Sequence, residues 1–242
     1  MRNVGKCNIV IILSFFILIS ISSCEKSLVG LKGEGDLVTQ EITLSEFNSI
    51  DMAISADVVF IKGDIQKVEI SAQQNIIDNI TKEIKTGEWE ISYIKNVSTH
   101  KDIKIIITVS EVKSIVLSGS GNISTSDKFI GDKINLKISG SGSINFETEM
   151  DKGNISIPGS GDINLIGEIT EQEISISGSG SYKSFSLYSD ICDVTISGSG
   201  SCELSVEDKL FVTISGSGNV YYKGQPSLNS IITGSGNVID AN

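Results

Sequence analysis

The stretch VTISGSGNVYYKG, from Val212 to Gly224, decides the fold of this 242-residue chain. Its centre, Gly216-Ser217-Gly218, is too small to pack and too flexible to favour a strand. Both flanks nevertheless alternate apolar with polar residues at the period of two that is typical of a β-strand. Such a glycine cluster could bind phosphate, bind calcium, form a linker or form a structural corner, and its recurrence along the chain separates these alternatives.

The block Gly-Ser-Gly occurs seven times at nearly constant spacing. Its first glycines stand 18 to 21 residues apart, at Gly119, Gly140, Gly159, Gly178, Gly198, Gly216 and Gly234. When the copies are aligned on that glycine, the positions four and two residues before it are apolar in nearly every copy, and so is the position two residues after the last glycine. Small polar residues stand between them. Each repeat is therefore predicted to be a strand, a corner and a second strand.

A period near 20 residues is typical of rungs that stack along one axis, because a single rung cannot bury its own apolar side. Stacking buries a continuous interior and pairs each backbone with the rungs on either side. The sequence thus predicts an all-β fold, a parallel β-helix or a closely related β-solenoid, with Gly-Ser-Gly corners in rungs of 18–21 residues. Glycine is expected there because it accepts a positive φ and lets successive turns lie close together.

The first residues have the pattern of an export signal. Arg2 and Lys6 precede an apolar run, Ile9 to Ile21, that is too short to span a bilayer as a helix. The run ends in Ile21-Ser22-Ser23-Cys24, which resembles a bacterial lipobox. We therefore expect 1–23 to be a lipoprotein signal peptide, Cys24 to carry the lipid that holds the protein to a membrane, and 24–40 to be a flexible tether. The alternative is an ordinary signal peptide with a chance cysteine.

The two cysteines within the repeats stand in apolar columns. Cys202 occupies the column two residues after the corner, and Cys192 lies six residues before the corner glycine. These positions predict two buried thiols that act as small hydrophobic side chains. A disulfide between them is the alternative in an exported protein.

The segment 41–110 lacks Gly-Ser-Gly but keeps the strand alternation, so we expect irregular β rungs that start and cover the regular stack of 111–242. We expect 41–242 to form one continuous domain. Within 41–110, Ile54-Ser55-Ala56-Asp57-Val58 is a glycine-poor version of the corner. The segment Asn75 to Ile84 has isoleucines at helical spacing but no clear cap, which leaves a short helix and a loop entering the core as alternatives.

Several chemistries are disfavoured by the residues present. A net charge of -11, from 19 Lys and Arg against 30 Asp and Glu, argues against nucleic acid. The corners do not continue as a nucleotide-binding motif, and only Asp162 provides an acid beside a corner, too few for a calcium repeat. Zinc is improbable with one histidine, His100, which we expect in an exposed loop. No cofactor, metal or catalytic residue is predicted.

The strand FNSIDMAISADVVFIKGD, followed by a ladder of corners such as ISGSGNI, resembles the head GIN domain family of putative auto-transporter adhesins, the DUF2807 group. The resemblance covers about residues 46–230. It implies an exported β-helical protein of Gram-negative bacteria. Together with the lipobox-like sequence, it leads us to expect a lipid anchor in the cell envelope, at the outer membrane. It supplies no catalytic residues.

The resulting functional hypothesis is a non-enzymatic envelope lipoprotein whose rigid head binds a glycan or a protein. Tyr221 and Tyr222 are the speculative ligand contacts, with Tyr188 a further exposed candidate, whereas Tyr182 is expected to pack inside. Two alternatives remain. The protein could be a polysaccharide-active enzyme, although its carboxylates are scattered, or an assembly protein that associates end to end through an uncapped last rung.

Overall fold

The fold was analysed in a computed structural model that describes residues 30–242. The predicted signal peptide 1–23 and the predicted lipid site Cys24 lie outside the described residues. The described chain consists of nineteen strands and one short helix, α1 (Gln74–Asn79). The strands are β1 (Leu31–Lys32), β2 (Leu37–Ile42), β3 (Ser49–Met52), β4 (Asp57–Lys62), β5 (Lys67–Gln73), β6 (Ile84–Lys85), β7 (Glu88–Ile91), β8 (Val97–Thr99), β9 (Lys104–Val109), β10 (Ser114–Leu117), β11 (Asn122–Thr125), β12 (Phe129–Ile138), β13 (Ser143–Ile157), β14 (Asp162–Ile176), β15 (Ser181–Ile196), β16 (Ser201–Ile214), β17 (Asn219–Lys223), β18 (Ser227–Ile232) and β19 (Val238–Asp240).

The predicted β-solenoid is confirmed. The long strands β13 to β16 each run from one Gly-Ser-Gly corner to the next, and each pairs in parallel with the following one. Ser143 lies beside Asp162, Asp162 beside Ser181, and Ser181 beside Ser201, so the register repeats with the sequence. We call the side formed by the segments that precede the corners face A, and the side formed by those that follow them face B.

The three aligned apolar columns point into the solenoid. In the column two residues before the corner, every member but the last is fully buried, from Leu117 through Ile214. The other two columns behave in the same way, and Tyr182 and Cys202 fill their places in the column after the corner with no exposed surface. The alternation at a period of two therefore determines which side chains point into the solenoid and which point to solvent.

The corner glycines are required by close approach between rungs. A Cβ atom added to Gly198 or Gly200 would lie well inside 3.0 Å of the carbonyl oxygen of Gly178 or Gly180 in the preceding rung. Those carbonyls accept hydrogen bonds from the next corner, for example from Gly200 N to Gly178 O at 3.2 Å. The expectation of positive φ was wrong for these glycines, because the positive-φ glycines of the described chain lie elsewhere, as at Gly167.

The rungs of the N-terminal half are not stacked in chain order. β3 and β4 pair with β10 and β11 of the first Gly-Ser-Gly rung. Their opposite edges pair with β7 and β9, which come later in the chain. The earlier segment is thus inserted between two later ones. Ile54-Ser55-Ala56, which the sequence indicated to be a glycine-poor corner, lies directly against Gly119-Ser120-Gly121 of the next rung.

Antiparallel strands and the helix cover this end of the stack. β9 pairs with β5, β5 pairs with β2, and β6 pairs with β7, all antiparallel. Helix α1 buries Ile76 and Ile77, but it ends before Ile80, and Ile84 belongs to β6. The helical alternative was therefore correct only for the first part of the predicted segment, since the chain turns back at Ile80 to form a bridge with Tyr93.

The tether prediction needs correction from Gly30 onward. β1 pairs with β8, and β2 joins the sheet through β5, so much of the segment 30–40 belongs to the fold. Backbone pairing outweighs the flexibility that its glycines suggest, and the Asn75 side chain also donates to Lys32 O at 2.6 Å. No helix within residues 30–242 is both long and apolar enough to cross a membrane.

Candidate functional site

A shallow groove of about 370 Å³ crosses the outer surface of face A at the first four Gly-Ser-Gly rungs. It lies over β10 and the ends of β12, β13 and β14. The outward side chains form two rows across the rungs, Ser114, Asn135, Asn154 and Glu173 in one, and Val116, Lys137, Ser156 and Ser175 in the other. The small serines keep the groove open, and the strand register aligns the longer polar groups.

Two asparagines form a ladder along this groove. Asn154 Nδ2 donates to Asn135 Oδ1 at 3.2 Å, and Asn135 Nδ2 donates to Lys113 O at 3.3 Å. Both side chains are half-buried. A carboxamide has two donor hydrogens and a carbonyl acceptor, so each amide keeps capacity for a ligand beyond the ladder. The parallel backbone fixes the spacing of these groups at about 4.8 Å, the distance between neighbouring strands.

The two charged groups of the groove lie on different rungs. Lys137 is exposed and takes part in none of the ion pairs within residues 30–242. Glu173 is exposed two rungs further along. The arrangement presents an ammonium donor, neutral amides and a carboxylate acceptor in sequence along one surface.

Face B carries a second asparagine ladder. Asn164 Nδ2 donates to Asn145 Oδ1 at 2.7 Å. Asn145 is exposed, whereas both members of the face A ladder are half-buried. Nearby, Lys183 pairs with Asp162 at 3.0 Å, which occupies the charges that could meet a ligand. The two ladders share their chemistry but differ in their surroundings.

The two tyrosines predicted as ligand contacts face different ways. Tyr222 packs against the core, in the inward column that contains Leu165 and Leu204 on earlier rungs. The alternation of strand side chains places Tyr221 outward, between Glu203 and Ile239 of the adjacent rungs. Only Tyr221 is therefore placed to meet a ligand on the surface, and neither tyrosine lies at the groove. Tyr188 is also exposed, at 62 %.

A buried polar cluster occupies the interior between β14 and β15. The hydroxyl of Tyr182 donates to Gln172 Oε1, and Gln172 Nε2 donates to Ser189 Oγ. Gln172 Nε2 also lies 3.6 Å from Cys192 Sγ. Buried polar groups are stable only when they are paired, and these are paired with one another, so the cluster fixes how the two rungs meet.

Both cysteines of the described chain are free and buried, as the apolar-column interpretation predicted. Burial raises the pKa of the Cys192 thiol to about 12. Burial likewise raises the pKa of Cys202 well above its ordinary value. A nucleophilic cysteine needs a low pKa and access to substrate, so neither thiol is suited to catalysis.

His100 lies in an exposed segment, as predicted, at the rim of a cavity of about 160 Å³ beside the Ile54-Ser55-Ala56 corner. Its Nδ1 lies 2.7 Å from the carbonyl oxygen of Lys101. Within residues 30–242, His, Cys, Asp and Glu form no group of three or more that could hold a metal ion.

Sequence reasoning missed Asn135, Asn154 and Gln172. The asparagines stand five residues before the corner, where the other repeats have Ser, Glu, Asp, Phe and Asn, so the column has no shared residue type. Gln172 stands in the same column as Cys192, and alignment could have identified it as a polar residue at an inward position.

A sequence model of the family described as "DUF2807: Putative auto-transporter adhesin, head GIN domain" matches residues 46–226. No curated protein matches the chain in sequence. The match covers the stack from β3 to the last residues before β18 and includes the groove.

Solved structures share the fold at low sequence identity. A putative adhesin from Bacteroides fragilis NCTC 9343 superposes with a TM-score of 0.82 at 21% identity, covering 86% of this chain and 99% of that one. A putative adhesin from Parabacteroides merdae ATCC 43184 gives a TM-score of 0.72 at 24% identity, covering 88% and 99%. A protein from Parabacteroides distasonis ATCC 8503 named as a putative lipid binding protein gives 0.68 at 21%, covering 87% and 99%.

Proposed function

This chain belongs to the DUF2807 family of putative auto-transporter adhesins with a head GIN domain, and we propose that it is a non-enzymatic surface-binding module that takes a carbohydrate in the face A groove. The family is named for adhesion, which is a role at the cell surface. The proposal includes export and a lipid anchor at Cys24, both supported by the lipobox-like Ile21-Ser22-Ser23-Cys24.

The observation that carries the proposal is the Asn135–Asn154 ladder in its groove. Sugar hydroxyls both donate and accept hydrogen bonds, and so do carboxamides. Held on adjacent rungs, the two amides lose little freedom on binding, which reduces the entropic cost of association. Lys137 favours a sugar that carries a carboxylate or sulfate, because its ammonium group has no ion-pair partner among the described residues.

The carboxylates support binding without turnover. Glycoside hydrolysis ordinarily needs two carboxyl groups on either side of the scissile bond. The groove lining includes only one carboxylate, Glu173. The other exposed acids of the outer surface are spread along the rungs, and several are ion-paired, as Glu171 is with Lys152 at 2.8 Å.

A glycan array tests the proposal with the unlipidated fragment 25–242, which contains all strands of the described residues. We expect acidic glycans to bind, and we expect the double variant Asn135→Ala with Asn154→Ala to lose about tenfold or more in affinity. The matched control is Asn145→Ala with Asn164→Ala, which removes the equivalent ladder from face B. Equal loss from both pairs, or no glycan binding by the parent protein, would refute a site in the face A groove.

Cys24 needs its own test in the full-length chain. Expression with a radiolabelled fatty acid should label the protein, and Cys24→Ser should abolish both the label and membrane fractionation. A labelled Cys24→Ser variant would exclude this residue as the lipid site.

A further inference from the structure

The last rung of the described chain, β18 with β19, exposes the interior of the solenoid. β18 pairs with β16 and β19 with β17, and no strand within residues 30–242 pairs with their outer edges. Leu228 and Ile232 continue inward columns, yet each is 42% exposed, while Leu210 and Ile214 in the rung below are fully buried. The rung therefore presents both unpaired backbone groups and core side chains.

This edge lacks the features that usually prevent strand pairing. Natural edge strands carry charges, prolines or bulges that block a second strand. β18 has no charged residue, and Pro226 stands before the strand, outside it. Asp240 is the only charged side chain between 227 and 242. In a chain with net charge -11, this is a surface that two copies can bring together with little repulsion.

We propose that this rung joins two copies of the chain end to end, with β18 antiparallel to β18 of the second copy about a two-fold axis at Ser230. Opposed residues of an antiparallel pair point to the same side of the sheet. With Ser230 opposite its own equivalent, Leu228 lies opposite Ile232 of the second copy. The inward columns then continue across the axis, and Ile231, which is 61% exposed, faces Asn229 of the second copy on the outside.

The opposite end of the stack favours a closed pair over a filament. A head-to-tail contact would need a free parallel edge at the N-terminal end. There the outer edge of β9 is taken by β5 and that of β7 by β6, and the outermost strand, β2, carries the exposed charge of Glu41, which disfavours pairing with a further strand. One adhesive end per molecule gives a two-fold dimer, which is the commonest closed assembly.

The geometry also assigns a direction to the contact. β1 pairs with β8, and β8 belongs to the chain segment that connects β7 with β9 at the covered end of the stack. Residue 30, which precedes β1, is therefore at that end. If Cys24 is lipidated, as the proposed function holds, the membrane lies toward the covered end and the last rung points away from it. Two molecules joined at β18 would then have anchors at opposite ends and would hold two membranes together.

Analytical ultracentrifugation of the 25–242 fragment tests the contact without lipid or glycan. We expect a concentration-dependent monomer–dimer equilibrium. Ile232→Lys should weaken dimerisation about tenfold or more, because it would bury an unpaired charge against Leu228 of the second copy. The thermal unfolding midpoint establishes whether that variant is folded. A parent protein that remains monomeric at high concentration would overturn the proposal.

A cysteine placed at Ser230 tests the register even if charged variants fail to fold. Antiparallel partners lie about 4.5–5.5 Å apart between Cα atoms, within the range for a disulfide. Ser230→Cys should form a cross-linked dimer on mild oxidation. Cys192 and Cys202 should not take part, because both are buried. The control Ser199→Cys, exposed on the corner edge, should stay monomeric. Equal cross-linking of both variants would contradict the proposed interface.

Vesicles test the bridging arrangement. Fragment 25–242 tethered by an N-terminal polyhistidine tag to nickel-lipid vesicles should cluster them, and Ile232→Lys should not. Dimers that form in solution but leave tethered vesicles dispersed would overturn the membrane-bridging orientation. Asn135→Ala with Asn154→Ala should cluster vesicles normally, so failure of the carbohydrate site and failure of this contact give different results.

Discussion

Two corners occupy the same place in adjacent rungs but differ in sequence: Ile54-Ser55-Ala56 and Gly119-Ser120-Gly121. Met52 pairs with Leu117 before them, and Asp57 pairs with Asn122 after them. Gly119 lies against the carbonyl oxygen of Ile54, and Gly121 lies against that of Ala56. On its other side, the Ile54-Ser55-Ala56 corner faces the rung that contains β7 and β9. Backbone hydrogen bonds to that rung are made by Ala53 N, which donates to Ile91 O, and then by Asp57 N, which donates to Ile103 O.

The difference between these corners shows what glycine does here. Between Ile91 and Ile103 the rung below Ile54 makes no backbone hydrogen bond to this corner, so no tight corner lies against it, and both Ile54 and Ala56 are buried. From Gly119 onward a tight corner lies beneath each tight corner, and a Cβ atom would collide with it. Glycine is therefore dictated by the neighbouring rung, and the shape of the turn itself tolerates larger residues.

The largest effect is expected when an inner Gly-Ser-Gly corner receives large side chains, which the Ile54-Ser55-Ala56 corner can accommodate. Gly198→Val with Gly200→Val would drive two branched side chains into the carbonyls of Gly178 and Gly180. Overpacking against a backbone that cannot shift costs more than the about 1–3 kcal/mol usual in a core. We expect loss of the cooperative unfolding transition in thermal and denaturant melts. Ser199→Val, exposed in the same corner, is the control, and an unchanged melt of the double variant would contradict close rung contact.

The second test removes the side chain that the first corner contains. Ile54→Ala should lower the free energy of unfolding by about 2–4 kcal/mol, because Ile54 is buried and its loss leaves a cavity. Urea denaturation measures the change. Ser55→Ala, which alters the exposed centre of the same corner, should have little effect. A neutral Ile54→Ala would mean that the space below this corner is filled by other groups.

A finer test compares an inner corner with the last one. Gly198→Ala adds one methyl group between two fixed rungs and should cost about 1–3 kcal/mol. Gly234→Ala meets the same kind of contact, with Gly216 O, but its rung is uncovered on the other side in the described chain and can move away. We expect a smaller loss, under about 1 kcal/mol, in the same urea measurement. Equal costs at both positions would show that the last rung is as rigid as the inner ones.

The smallest effect comes from the thiols that flank the inner corner, Cys192 and Cys202. Their pKa values are raised by burial, so the folded protein keeps protons that the unfolded chain loses above a pH of about 9. Stability should therefore be unaffected below that pH and fall as pH rises toward 12. A melt at about pH 9 should occur a few degrees lower than one at about pH 7.

The matched variant Cys192→Ala with Cys202→Val should show a smaller alkaline decrease. A thiol reagent should modify the parent protein only on unfolding, and rapid modification of the native state would show that the rungs beside this corner open.

The inward columns could be predicted from sequence because strand alternation and the alignment of seven copies assign the same alternate positions to the interior. That alternation would also have placed Tyr222 inside, on the side of Leu204, while the emphasis on aromatic surface residues suggested otherwise. The insertion of β3 between β7 and β10 could not be predicted. Segments 49–52 and 88–91 alternate alike, so either can pair with either edge, and only the tertiary fit decides.

The candidate site was less predictable than the fold. A repeated residue identifies what every rung needs, and the face A groove depends on residues that change from rung to rung. Asn135 and Asn154 become recognisable only when the register brings them together. Cys192 and Cys202 were predictable as buried thiols because burial is set by the columns they share.

The inserted rung has a consequence for loop-closure entropy. Neighbouring rungs of the ladder join residues about 20 apart, whereas Asn122 meets Asp57 across 65 residues of chain. With a cost that grows as the logarithm of loop length, the difference is about 1 kcal/mol, comparable to one net hydrogen bond. Reordering whole rungs is thus thermodynamically inexpensive. A solenoid can therefore lengthen its stack with a rung from a distant part of the chain at little entropic cost.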